Sequence, residues 1–257
     1  YVPDDNFQAA LTAQGIVSGW WDIAGTTPGG DYCHTSEINT LTYLGVAGQG
    51  IVDMTGIEGF AALTDLNCYL NQITSLDVSN NIALTYLHCP HNQLTTLDVS
   101  NMALDYLACG HNQLTSLDLS QNTALVSLAC DNNQLTSLDV SGATALYGIT
   151  CNNNQLITLD VSTNTALTNL YSFDNQLTTL DVSNNTALTT LWCYSNQLTS
   201  LDIRNTNNTN MLASVFKAND NPLLTTINCD DKDDAELRYT VASGSIDAAM
   251  TTWTAIP

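Results

Sequence analysis

An Asn-Gln-(Leu/Ile) tripeptide begins at Asn71 and returns at Asn92, Asn112, Asn133, Asn154, Asn175 and Asn196. The steps are 21, 20, 21, 21, 21 and 21 residues. A fixed period of about 20 residues dictates a solenoid, in which each unit covers the hydrophobic face of its neighbour. The functional question therefore moves from a pocket to a long repeated surface. The 257 residues are enough for one such array with ends that close it.

Each unit holds two similar half-turns. Leu84, Leu87, Cys89, Asn92 and Leu94 spell L-x-x-L-x-C-x-x-N-x-L, and Leu177 to Ala187 spell L-T-x-L-D-V-S-x-N-x-A. The alternation Leu87–Cys89 and Leu97–Val99 puts those side chains inside, as in a short strand. The corner Asn can bond backbone groups that the turn leaves free. A second, less complete Asn ladder runs through Asn81, Asn122, Asn164 and Asn185.

Eight cysteines suggest disulfides, but six of them (Cys68, Cys89, Cys109, Cys130, Cys151 and Cys193) occupy one repeat position. Ser172 fills that slot in the one regular coil without Cys. A small buried residue explains the set, so the expectation is a ladder of buried free thiols. Cys229 fits the last, irregular coil and Cys33 lies outside the array.

Twenty-five acidic residues face four basic ones, Arg204, Lys217, Lys232 and Arg238, so residues 1–203 contain no Lys or Arg. Phosphate neutralisation needs such cations, which excludes nucleic acid and anionic membranes as expected partners. No apolar run approaches the ~20 residues of a membrane span. No signal peptide is evident, and Tyr1 in place of Met suggests a mature or trimmed chain.

The half-turn L-x-x-L-x-C-x-x-N-x-L matches the leucine-rich repeat signature, with Cys at its third apolar position. The chain resembles secreted or surface leucine-rich repeat proteins of bacteria, of the internalin-like and surface-antigen type, over residues 41–231. The resemblance implies a β-rich, right-handed leucine-rich repeat solenoid with a parallel concave sheet, a short N-terminal helical cap and an irregular C-terminal cap. Residues 1–40 would form the N-terminal cap, with a helix from Pro3 to Gly15 capped by Asp4 or Asp5 and with Trp20 and Trp21 beside it. Residues 41–231 would be the array, with an entering coil at 41–62, regular coils at 63–203 and irregular coils at 204–231. Residues 232–257 would close the open end with Leu237, Tyr239, Val241, Ile246 and Trp253. Two half-turns in 21 residues favour strands or extended segments over helices on the convex side.

The positions flanking the buried Leu and Cys point outward on the first sheet. They hold two aromatic groups: Tyr69, Tyr86 and Tyr106 with His88 nearby, and Tyr171, Phe173, Trp192 and Tyr194 on two adjacent coils. Adjacent coils lie ~5 Å apart, so the rings should form contiguous patches. The candidate ligand-binding residues are Tyr171, Phe173, Trp192, Tyr194, Tyr86, Tyr106 and His88. Such patches suit glycan stacking or a protein hot spot, although cross-strand aromatics also stabilise ladders by themselves.

On the opposite sheet Asp77, Asp98, Asp118, Asp139, Asp160, Asp181 and Asp202 form a column beside Ser75, Thr96, Ser116, Ser137, Thr158, Thr179 and Ser200. The column is expected to bond those hydroxyls, with weak calcium binding as the alternative. His91 and His111 share a column and offer two imidazoles to zinc or copper, but two residues on a corner are more often simply solvated. No Ser/His/Asp grouping, phosphate loop or metalloprotease motif is present. The expected function is a non-catalytic binding or adhesion module, monomeric and secreted or displayed on the cell surface. Its concave face would meet an extracellular polysaccharide or a protein. The alternatives are part of a polysaccharide-active enzyme, using Asp174, Asp131 or Asp105, or a structural spacer in a larger surface protein.

Overall fold

A computed structural model of the chain describes residues 1–18, 32–206, 215–231, 235–236, 246 and 252–255. Trp20, Trp21, Leu237, Tyr239 and Val241 lie outside the described residues.

The chain forms a parallel β-solenoid with little helix. One strand per coil builds a nine-stranded sheet: β1 (Tyr43–Gly45), β2 (Asp65–Asn67), β3 (Tyr86–His88), β4 (Tyr106–Ala108), β5 (Ser127–Ala129), β6 (Gly148–Thr150), β7 (Asn169–Tyr171), β9 (Thr190–Trp192) and β11 (Phe216–Lys217). Pairing is in strict register, so Leu66, Leu87, Leu107, Leu128, Ile149, Leu170 and Leu191 form one inward column. A second parallel sheet exists only at the C-terminal end, in the order β13 (Thr252–Ala255), β12 (Thr226–Cys229), β10 (Ser200–Asp202) and β8 (Thr179–Asp181). In earlier coils this side is extended chain and turns. The continuous opposite sheet read from the Asp column is therefore confined, among the described residues, to the last coils.

The core is a single column of Leu, Ile, Val and Cys running the length of the array. All eight cysteines are free thiols, and every one except Cys33 is buried. Cys89 Sγ lies 3.5 Å from the Ala108 carbonyl of the next coil, and Ser172 Oγ lies 3.5 Å from the matching Trp192 carbonyl. The hydroxyl thus takes over the thiol's place and its partner, which is why Ser is tolerated in that slot. Burial pushes the thiols of Cys68, Cys109, Cys151 and Cys193 up to about 12, and those of Cys89 and Cys130 well up.

The corner Asn residues join the coils. Asn112 is typical: its Oδ1 accepts from Leu94 N–H of the preceding coil at 3.0 Å, while Nδ2 donates to Cys89 and Cys109 carbonyls at 3.1 and 3.0 Å. The same pattern holds from Asn71 to Asn196 and continues at Asn221, whose Oδ1 accepts from Leu198 N–H. The second ladder differs. Asn122 Nδ2 donates to Val99 and Met102 carbonyls, but the buried Oδ1 atoms of Asn81, Asn122, Asn164 and Asn185 have no partner among the described residues.

The residue before each ladder Asn turns the corner with a left-handed backbone: Leu70, His91, His111, Asn132, Asn153, Asp174, Ser195 and Asp220 have φ between 51° and 56°. Asn, Asp and His enter this region more easily than most side chains, which accounts for most of that column. Leu70 has no such excuse.

At the N-terminal end, α1 (Asp5–Ala13) buries Phe7, Ala10 and Leu11 in the same core. Asp4 caps it, accepting from Phe7 N–H through Oδ1 and from Val52 and Asp53 N–H through Oδ2. One carboxylate therefore ends the helix and anchors it to the first coil.

The Asp column is exposed along Asp77, Asp98, Asp118, Asp139, Asp160 and Asp181. Its partners are not the hydroxyls at Ser75 or Thr96. Asp77, Asp98, Asp118, Asp139, Asp160 and Asp181 each accept the backbone N–H two residues later, as in Ser100 N–H to Asp98 at 2.9 Å. Each Asp closes its own turn, because a short carboxylate reaches the amide two residues on more readily than a hydroxyl two residues back. Bonds from the Ser hydroxyl and amide hold Asp77, Asp98, Asp139 and Asp160 below the ordinary carboxylate range.

Candidate interaction surface

The three-residue strands of the large sheet bury the middle side chain and turn the first and third to the concave face, where Ala108 of β4 alone is covered. The register converts the sequence columns into spatial ones. Tyr86 pairs with Tyr106, and Tyr171 with Trp192.

Both aromatic groups assemble. Tyr86 and Tyr106 lie face to face, with centroids 4.3 Å apart and planes within 7°. Phe173 and Tyr194 do the same at 4.5 Å and 10°. Tyr171 meets Trp192 at 5.2 Å in an edge-to-face contact, and Trp192 lies 6.1 Å from Phe173 and 6.4 Å from Tyr194. Tyr69 does not complete a three-ring stack with Tyr86. It turns to the imidazoles, 5.7 Å from His88 and 5.4 Å from His91. These separations follow from the spacing of parallel strands, ~4.8 Å, which stacks rings in one column like pages.

His88 is half-buried beside the stacked pair, 6.3 Å from Tyr86 and from Tyr106. Asn67 Oδ1 accepts from Tyr69 N–H, so it is also the acceptor for His88 Nδ1–H at 3.1 Å. Burial lowers the His88 pKa, which keeps the ring neutral. His91 and His111 stack at 4.0 Å with planes within 12°, and His111 Nε2 is 3.6 Å from Asp131. The lone pairs of two parallel rings lie in separate planes and do not converge on one metal. Among the described residues no group of three or more His, Cys, Asp or Glu side chains is placed to hold a metal ion.

The two patches are separated by small side chains. Ala108, Ser127, Ala129, Gly148 and Thr150 occupy the face between Tyr106 and Tyr171. Beyond the second patch a depression of about 370 Å³ is lined by Trp192, Tyr194, Lys217, Asn219 and Asp220. The sequence columns of Trp192 and Tyr194 run on through Lys217 and Asn219, and Lys217 pairs with Trp192 across a 25-residue irregular step. Asp131 and Asp174, the candidate acids, sit at coil corners, and Asp131 accepts from Asn132 Nδ2 at 2.7 Å.

A solved structure of the functional domain of internalin J from Listeria monocytogenes, described as including a cysteine ladder, is similar to this chain. It superposes with a TM-score of 0.66 at 36% identity, covering 89% of this chain and 55% of that one. The chain is an internalin-like leucine-rich repeat protein. Full-length internalin J from L. monocytogenes serotype 4b (strain F2365) is 40% identical over 81 residues, which is 32% of this internalin-like chain and 8% of that protein. The array thus spans about half of the solved domain and less than a tenth of the curated relative. Internalin C2 from L. monocytogenes strain 4b F2365 shares the fold, with a TM-score of 0.60 at 21% identity over 98% of this chain and 94% of that one. No protein-family model matches the chain. Among the described residues no helix is long and apolar enough to cross a membrane.

Proposed function

We propose that the chain is a non-catalytic adhesion module, displayed outside the cell, whose concave face binds a protein. The observation that carries this reading is the ring geometry. Tyr86 and Tyr106, and Phe173 and Tyr194, each cover one face of the other, so the rings form contiguous clusters rather than separate flat platforms. Such clusters offer solvent their outer faces, their edges and the tyrosine hydroxyls, the mixed apolar and polar outline of protein hot spots. The buried Trp192 Nε1 has no acceptor among the described residues, as befits a ring held for contact area rather than for its own packing. Likeness to internalin J supports a binding role over a catalytic one.

The test is to probe a protein array and a glycan array with the wild type, Trp192→Ala and Tyr171→Ala. The reading expects protein partners whose binding falls at least tenfold in both variants. Glycan binding lost in the same variants would replace it with a lectin. Polysaccharide turnover abolished by Asp174→Asn would replace it with an enzyme.

A further inference from the structure

The small residues between the aromatic patches form a trough bounded by rings at diagonally opposite corners, Tyr106 at the first position of β4 and Phe173 two residues past the end of β7. Tyr86 covers one face of Tyr106, so the other face of Tyr106 looks along the array toward Ser127 and Gly148. Tyr194 covers one face of Phe173 from the following coil, which leaves the other face of Phe173 looking back toward Asn152. Three strand spacings separate the coil of β4 from that of β7, ~14 Å. Subtracting the half-thickness of the two rings leaves about 11 Å of clear width. An α-helix with its side chains is about 10–12 Å across. A single sugar ring would touch one wall and leave the other bare.

The floor suits close approach. A Cβ added at Gly148 would meet nothing within 4 Å, and Ala129 and Thr150 rise little above the backbone. The electrostatics choose the sign of the occupant. Asp105 at the entry of β4, Asp131 after β5 and Asp174 after β7 flank the trough, and residues 1–203 contain no Lys or Arg to offset them.

We infer that the concave face between Tyr106 and Phe173 seats one basic helix of a partner protein, laid across the array parallel to the strands. The inference rests on the protein-binding reading above and adds the size, shape and charge of the element recognised. The walls take its apolar side chains, and Lys or Arg on its flanks reach the three carboxylates.

The test uses a phage library of single-helix peptides of about 20 residues, a length of ~30 Å that spans the face, selected against the whole chain. The expected binders carry Lys or Arg on one flank and lose at least tenfold in affinity when salt rises from 0.05 to about 0.3 M. Gly148→Tyr fills the trough and should weaken them at least tenfold at an unchanged melting temperature, while Gly148→Ala changes them less than threefold. Asp131→Asn should weaken them several-fold. Binders that need Trp192 but ignore Gly148→Tyr would overturn the trough and leave protein binding standing. Acidic or neutral binders, or none, would also overturn it. Glycan binding with no peptide binding would overturn both readings.

Discussion

Leu94 donates its backbone N–H to Asn112 Oδ1 at 3.0 Å, across 18 residues of chain and one coil boundary. Among the described residues no other acceptor serves that amide. The Cys89 and Cys109 carbonyls that Asn112 also holds are each shared with a second ladder Asn, Asn92 and Asn133. Asn112→Ala should therefore cost about 2–3 kcal/mol, the penalty of one orphaned buried amide plus lost packing. Asn122→Ala removes two donated bonds but also a carbonyl oxygen that has no partner, so its cost should be nearer ~1 kcal/mol. Urea unfolding of the two variants checks the order.

The thiols should be chemically silent in the folded chain. Thiolates are the reactive form, and burial holds Cys68, Cys109, Cys151 and Cys193 near 12. At pH 8 a thiol reagent should modify only Cys33, which is half-buried, within minutes. In denaturant without reductant it should find all eight. Fewer than eight would reveal disulfides.

Leu70 is the misfit in a left-handed column otherwise filled by His, Asn, Asp and Ser. Its side chain is 53% exposed, so replacing it forfeits little burial. Leu70→Gly or Leu70→Asn should raise stability by about 1 kcal/mol by relieving the positive φ. Thermal melting of the two variants measures it, and an unchanged melting temperature would contradict the strain.

His88 should make the N-terminal patch sensitive to acid. Its folded pKa is lowered below 6.5 by burial. A base with a lowered folded pKa contributes its full stability above the unfolded value and loses it as pH falls through the folded one. The melting temperature should thus decline below pH ~6.5, and His88→Gln should flatten part of that decline. NMR titration of the His88 ring, expected below 6.5, gives the direct reading.

The carboxylates of Asp77, Asp98, Asp139 and Asp160 are held low by bonds within their own turns. Their small contribution is complete above about pH 4 and disappears as pH falls through their lowered values. Melts from pH 5 to pH 2.5 should steepen at the acid end, while EDTA at pH 7 should leave the melting temperature unchanged. A fall with EDTA would mean that the column holds calcium.

Much of the fold was legible because the repeat states each requirement seven times. The Leu and Cys columns, the buried thiols and the Asn corner follow from period and alternation. What escaped was direction within a column. Sequence places Tyr69 beside Tyr86, yet the Tyr69 ring turns to His88 and His91, because rotamer choice at a corner is not written in spacing. It places Asp98 between Thr96 and Ser100 without saying that Ser100, through both its hydroxyl and its amide, is the donor. It shows two Asn ladders alike, although only one has both ends of its amide bonded. The candidate site was legible as a set of residues; the face-to-face stacking of Tyr86 on Tyr106 was not, because ring orientation is not written in spacing.

The hydrogen bond from each coil to the Asn of the following coil also makes every coil depend on its neighbour. Removing a coil from the C-terminal side strips the next one of the acceptor for a buried amide, as Leu198 would be stripped by loss of Asn221. Removing one from the N-terminal side takes the acceptors of other amides, as Gln93 N–H would lose the Ile73 carbonyl, while the ladder Asn keeps the carbonyl bond within its own coil. Excising or duplicating one whole coil leaves every such dependence intact, so arrays of this kind can change length one turn at a time.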